Sequence, residues 1–114
     1  MPRLEPLPTL GSGMSAYVSI TEIHLDLRHS QSLKEKRKVV SSLKAQLRHR
    51  FVVAIAETAD HDDRRRATLL CALVGGPEVG ERAAELEHFV DVRCPDGCRF
   101  ERHLRTLADL RSDS

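Results

Sequence analysis

The feature that most constrains the fold is the order in which the hydrophobic periodicity changes along the chain. Residues 17–27, 51–58 and 66–74 are rich in aliphatic and β-branched residues, which is typical of strands. Residues 33–50 and 78–91 repeat their apolar residues every three or four positions, which predicts two amphipathic helices. The polar segment 59–63 is short, so the second and third strands are expected to form an antiparallel hairpin.

The last segment, residues 98–110, fits two interpretations. A helix would place Phe100, Leu104, Leu107 and Leu110 on one side, whereas an edge strand would align Phe100, Arg102, Leu104 and Thr106. With a strand there, two right-handed β-α-β units give a ferredoxin-like α+β sandwich of order β-α-β-β-α-β. We expect a four-stranded antiparallel sheet of strand order 4-1-3-2, with both helices on one face.

Composition and termini indicate one domain. The chain has 114 residues, and residues 1–13 hold three prolines and two glycines, which predicts a flexible leader before a single domain of residues 14–110 and a tail of 111–114. The three cysteines match no secreted disulfide framework, and no run approaches the roughly 20 apolar residues of a membrane span. We therefore expect a cytoplasmic protein that does not enter the membrane.

The first helix concentrates positive charge. Ser32 and Glu35 form a capping-box pattern, and Leu33, Val40, Leu43 and Leu47 define its apolar stripe. Residues 33–50 carry seven cations and one acid, while the rest of the chain has eleven cations and sixteen acids. We define the cationic face as the five residues predicted to point outward: Lys34, Arg37, Lys38, Lys44 and Arg48.

A one-sided cationic helix can neutralise phosphates, which predicts salt-dependent RNA binding by the cationic face. The same face could instead dock on an acidic protein, and a solvated surface is the plain alternative. No nucleophile motif or glycine-rich phosphate loop is present. The sequence therefore favours a binding module without a catalytic site or a cofactor.

Two polar clusters contain metal-ligand residue types, but neither predicts a metal site. Glu57, Asp60, His61 and Asp62 could offer ligands to Mg²⁺ or Mn²⁺, but their spacing matches no calcium loop or helical metal motif. Alternatively the segment is a solvated turn, and Arg65 or Arg66 pairs with one of these carboxylates. The other cluster, Cys94 and Cys98 with His88 and His103, lacks the compact spacing of a zinc site, while Cys71 is expected in the core.

The second and third strands are apolar on both faces, although two helices can cover only one face of the sheet. The other face, without aromatic residues on the third strand, does not resemble the stacking surface of an RNA-binding sheet. We expect it to be buried in a homodimer. The predicted dimer face comprises Val52, Ala54, Leu70, Ala72 and Val74.

Two stretches carry a family resemblance. Residues 17–37, ending in HSQSLKEKR, and residues 51–60, FVVAIAETAD, resemble the YlxP-like family of small bacterial proteins. The resemblance implies a ferredoxin-like domain of unknown function. It places Glu57 and Asp60 at positions that the family pattern shares, so these two residues are the candidate ligand site at the turn. Genes of this family often lie beside those for transcription termination, translation initiation and ribosome maturation, so a ribosomal particle or its rRNA is the expected RNA partner.

Overall fold

The computed structural model describes residues 16–112, so the predicted leader 1–13 lies outside the described residues. The elements in chain order are β1 (Tyr17–Asp26), α1 (Leu33–Arg50), β2 (Ala54–Ala59), β3 (Arg66–Gly75), α2 (Val79–Asp91), β4 (Cys98–Thr106) and α3 (Leu107–Ser112).

The four strands form one antiparallel sheet of order β2-β3-β1-β4. This is the predicted order, counted from the opposite edge, and the ferredoxin-like α+β arrangement is confirmed. β1 pairs with β3 along its whole length, from Tyr17 opposite Gly75 to Asp26 opposite Arg66. The short strand β2 lies at one edge, and its pairing with β3 is interrupted by a bulge between Glu57 and Ala59.

The core lies between the sheet and the helices α1 and α2. Alternate residues of the central strands point toward the helices and are buried, because side chains of a strand alternate between the two faces. The helices contribute residues at spacings of three and four, as an amphipathic helix requires. The buried apolar residues are Ile23, Leu25, Val40, Leu43, Leu47, Phe51, Ala67, Leu69, Cys71, Leu73, Val79, Ala83, Leu86 and Val90.

The hairpin begins later than the sequence predicts. Phe51 is the C-cap of α1 rather than a strand residue: its amide donates to the Leu47 carbonyl at 2.8 Å, and its ring is buried in the core. Val52 follows outside the strand and is 86% exposed. Regular strand structure starts only at Ala54, because the helix cap takes the first residues of the apolar run.

The segment 98–110 combines the two interpretations given above. It continues as β4 to Thr106 and then turns into the short helix α3. The change of structure coincides with a reciprocal cap: the Thr106 amide donates to Asp109 Oδ2 at 2.9 Å, and the Asp109 amide donates to Thr106 Oγ1 at 3.0 Å. This is the capping-box geometry that starts a helix.

Candidate functional site

The cationic face occupies the solvent side of α1, as the sequence predicts. Lys34, Arg37, Lys38 and Arg48 are exposed and Lys44 is half-buried. The opposite side of the helix is held in the core by Val40, Leu43 and Leu47. Ser32 accepts a hydrogen bond from the Glu35 amide at 3.0 Å, so the predicted capping box also places the first turn.

The cations of this face lack acidic partners. Among residues 16–112, the side chains of Lys34, Arg37, Lys38 and Lys44 form neither an ion pair nor a hydrogen bond. Arg48 donates from Nη2 to the Ile55 carbonyl of β2 at 3.3 Å. Their charges repel one another at the short spacings of a helix side, and that repulsion would be relieved by an anionic partner.

Lys36, a buried cation of the same helix, is not among the site residues that the sequence predicts. Its side chain is 1% exposed, and its Nζ lies 3.1 Å from Glu57 Oε2 on β2. Nζ also donates to the backbone carbonyls of Asp60 and His61. A signal was present in the pattern: the apolar stripe skips a turn between Leu33 and Val40, and position 36 fills that gap.

Lys36 organises the turn after β2. Asp60 adopts a left-handed backbone with φ of 63°, which Asp tolerates better than most residues. Its carboxylate accepts from Thr68 Oγ1 at 2.7 Å, and its carbonyl accepts from Lys36 and from the Asp63 amide. The structure therefore brings Glu57 and Asp60 together around an ammonium group.

This arrangement replaces the partners that the sequence suggested for the turn. Neither Arg65 nor Arg66 forms an ion pair within the described part of the chain. The Lys36 ammonium beside Glu57 repels a second cation, which disfavours a metal ion at this carboxylate. His61 is directed back to the backbone, with Nε2 at 3.1 Å from the Glu57 carbonyl.

The uncovered sheet face divides into an apolar and a polar half. Ala54, Leu70, Ala72 and Val74 lie on it through the β2–β3 pairing and strand alternation. Val52, the fifth residue of the predicted dimer face, precedes β2. Dimerisation through this face stays a prediction, which the sedimentation coefficient of the purified protein would test.

The polar half contains a group that no sequence pattern indicated. Glu22 on β1 lies opposite Glu101 on β4, and His24 Nε2 lies 2.8 Å from Glu22 Oε1 and 3.9 Å from Glu101 Oε2. Hydrogen bonding with Glu22, and then with Arg99, lowers the pKa of Glu101. Carboxylates and an imidazole are metal-ligand types, but their contacts with one another and with Arg99 already account for this group.

The cysteines are thiols held away from ionisation. Burial raises the pKa of Cys71 to about 11, and Cys71 lies in the core as predicted. Burial, and then the charges of Cys94 and Asp91, raise the pKa of Cys98 to about 12, and its Sγ contacts Asp91 Oδ1 at 3.6 Å. Among residues 16–112, His88 and His103 do not join these cysteines in a metal-ligand group.

Two other clefts carry charges of both signs. One, of about 600 Å³, lies where the strands end and contains both arginines and aspartates. There Arg28 pairs with Asp26 at 2.7 Å and lowers its pKa. The other, of about 590 Å³, lies between α1 and the turn at Cys94 and Asp96. Neither concentrates positive charge as the cationic face does.

Comparison with known families identifies one matching family. Residues 18–94, more than half of the chain, match the model of DUF503, described as a protein of unknown function. The chain belongs to the DUF503 family. The matched DUF503 region spans the cationic face together with Lys36 and Glu57, and it ends before β4. No curated protein matches the chain.

The DUF503 chain contains no helix, within residues 16–112, that is long and apolar enough to cross a membrane. Its longest helix, α1, has 18 residues and carries the cationic face.

Proposed function

We propose that this DUF503 protein is a non-enzymatic module that binds RNA through the cationic face of α1. The observation that carries the proposal is the lack of acidic partners along that face. Four of its five cations have no partner among the described residues, and the fifth contacts only a backbone carbonyl. Lysine and arginine side chains in this arrangement would contact phosphates. They would recognise RNA by its charge and shape rather than by its sequence.

The fold supports a rigid presentation of these charges. The stripe of Val40, Leu43 and Leu47 fixes α1 on the core, and Lys36 ties its first turns to the hairpin. A preorganised helix loses little conformational entropy when it binds. The resemblance to YlxP-like proteins, whose genes often adjoin those of ribosome maturation and translation initiation, favours a ribosomal particle as the source of the RNA.

The test measures binding to a fluorescent single-stranded RNA and co-sedimentation with ribosomal subunits across a salt series. One variant combines Lys34→Gln, Arg37→Gln and Lys38→Gln, and a matched control combines Arg64→Gln, Arg65→Gln and Arg105→Gln. Loss of three phosphate contacts should make the plot of log K against log salt shallower by about 2 in the first variant. The control, which loses equal charge elsewhere, should keep the slope of the unaltered protein.

Two results would contradict the proposal. Absence of binding by the unaltered protein at low salt would overturn it, and so would equal effects of the two variants. Co-sedimentation that survives nuclease digestion but is lost in the Lys34, Arg37 and Lys38 variant would indicate an acidic protein partner instead.

A further inference from the structure

A small cleft lies beside the cationic face, between α1 and the edge strand β2. Its volume is about 240 Å³. It is lined by Arg37, Val40, Ser41, Lys44, Arg48 and Glu57. Three of the five cations of the cationic face thus lie around one concavity, whereas Lys34 and Lys38 lie outside it.

The electrostatics of the cleft are more positive than its composition suggests. Glu57 is the one acid among the lining residues. Its carboxylate lies 3.1 Å from the ammonium of Lys36, which is buried behind the cleft. Since that pair is neutral as a unit, the charges of Arg37, Lys44 and Arg48 are left without compensation.

Apart from Glu57, the polar side chains that line the cleft can donate hydrogen bonds, and most of them have no acceptor among the described residues. The side chains of Arg37, Ser41 and Lys44 make no hydrogen bond to any residue from 16 to 112. Arg48 donates one hydrogen bond to the Ile55 carbonyl, which holds its guanidinium at the edge of β2. Its other N–H groups remain available. An oxyanion with several acceptor oxygens satisfies such a set of donors.

The size of the cleft restricts the ligand. Sites for whole small molecules have volumes of about 300 to 1,000 Å³, and this cleft is smaller. Val40 supplies an apolar wall, and no aromatic side chain is available to stack on a base. The cleft therefore suits a single charged group rather than a nucleotide.

We infer that the cleft between α1 and β2 is a binding site for one phosphoryl group, held by Arg37, Lys44 and Arg48. The inference rests on the proposed function, since the cleft would anchor one phosphate of the bound RNA. The same chemistry fits a free phosphate or the phosphate of a mononucleotide. Lys36 would support binding indirectly, because its ammonium cancels the charge of Glu57 beside the ligand.

The test titrates ¹⁵N-labelled protein with inorganic phosphate at constant ionic strength and follows the amide resonances. We expect saturable shifts at Ser41, Lys44 and Glu57. Lys44→Gln and Arg48→Gln should each weaken phosphate binding by about 5- to 10-fold, the effect of losing one charge-assisted hydrogen bond at a partly exposed site. Lys34→Gln, on the same helix but outside the cleft, is the matched control and should change phosphate affinity by less than about 2-fold.

Glu57→Gln should have the opposite effect on phosphate affinity. It removes the carboxylate and leaves the Lys36 ammonium in place, so phosphate should bind several-fold more tightly, provided that circular dichroism shows a folded variant. Two further titrations identify the source of the phosphoryl group: adenosine 5′-monophosphate and a single-stranded RNA. We expect RNA binding to weaken in both Lys34→Gln and Lys44→Gln. We expect phosphate binding to weaken only in Lys44→Gln.

The outcomes separate this inference from the proposed function. If RNA binding is salt-sensitive but unaffected by Lys44→Gln and Arg48→Gln, the inference of a phosphoryl site in the cleft is wrong. The RNA-binding proposal would still stand. Saturable phosphate binding in the cleft without any RNA binding would overturn the proposed function and point to a free phosphate or mononucleotide. Shifts spread evenly over α1, with equal effects of Lys34→Gln and Lys44→Gln, would overturn the discrete site.

Discussion

Replacing the buried Lys36 by methionine should destabilise the protein strongly. The side chain is 1% exposed and serves a carboxylate and two carbonyls. Lys36→Met retains most of the apolar stem but leaves Glu57 and the Asp60 carbonyl without this partner. Breaking a buried ion pair costs about 3–5 kcal/mol. Glu57 is 20% exposed, so water offsets part of that cost, and we expect a loss of about 2–4 kcal/mol.

This loss is a large share of the stability of a small domain, which is typically about 5–15 kcal/mol. It corresponds to a fall in melting temperature of about 8–32 °C, given roughly 4–8 °C per kcal/mol for a domain of this size. Because the chain has no tryptophan and one tyrosine, urea unfolding is best followed by far-ultraviolet circular dichroism. The midpoint and the slope together give the free energy of unfolding.

Two variants control the experiment. Lys38→Met alters an exposed lysine of the same helix that has no partner among residues 16–112, and it should change stability by less than about 0.5 kcal/mol. The double variant Lys36→Met with Glu57→Gln removes both charges, and it should lose about 1–3 kcal/mol less than the sum of the single losses. The reasoning would be refuted if the two single substitutions had additive effects on the free energy of unfolding. It would also be refuted if Lys36→Met changed that free energy by less than about 1 kcal/mol.

Three further results are expected. Cys71, whose pKa burial raises to about 11, should resist iodoacetamide at pH 8 in the folded protein and react only after urea unfolding; rapid native labelling would contradict its burial. Gly97 has φ of +98° and no neighbour within 4 Å of an added Cβ, so Gly97→Ala should cost about 1 kcal/mol in urea unfolding through backbone strain alone. The Arg28 hydrogen bond lowers the pKa of Asp26, so the folded state binds this proton less readily than the unfolded chain. The contribution of Asp26 to folding stability is therefore present above its unfolded pKa and lost as pH falls through its folded pKa. In Arg28→Gln, an NMR titration should show the Asp26 pKa returning toward its ordinary value.

The sequence predicted the first three strands, the two long helices and their order, because those depend on local periodicity, and it left residues 98–110 open. The spacing of Val40, Leu43 and Leu47 defined α1, and the alternation of Ile23, Leu25 and Leu27 with polar residues indicated β1. Boundaries were less accurate where one residue type suits two roles. Phe51 belongs to a β-rich run, yet it caps a helix because the core beside Phe89 accepts its ring edge to face at 5.8 Å.

The outward direction of the cationic face was also predictable, since an apolar stripe on one side of a helix leaves the other side to solvent. The absence of partners for these cations was not, because an acid from any distant element could have paired with them. The predicted RNA contacts and the predicted homodimer depend on molecules outside this chain and stay predictions.

Only the tertiary structure placed Lys36 against Glu57. The two residues lie 21 positions apart, and their meeting requires α1 to lie across β2 at a particular rotation. The same packing formed the cleft of Arg37, Lys44 and Arg48, and the β1–β4 register brought Glu22 opposite Glu101. By itself, therefore, the sequence determined which sides of its helices and strands are apolar, because that property is local. The structure decided which polar groups meet across those elements, because that depends on register and rotation, which local patterns do not encode.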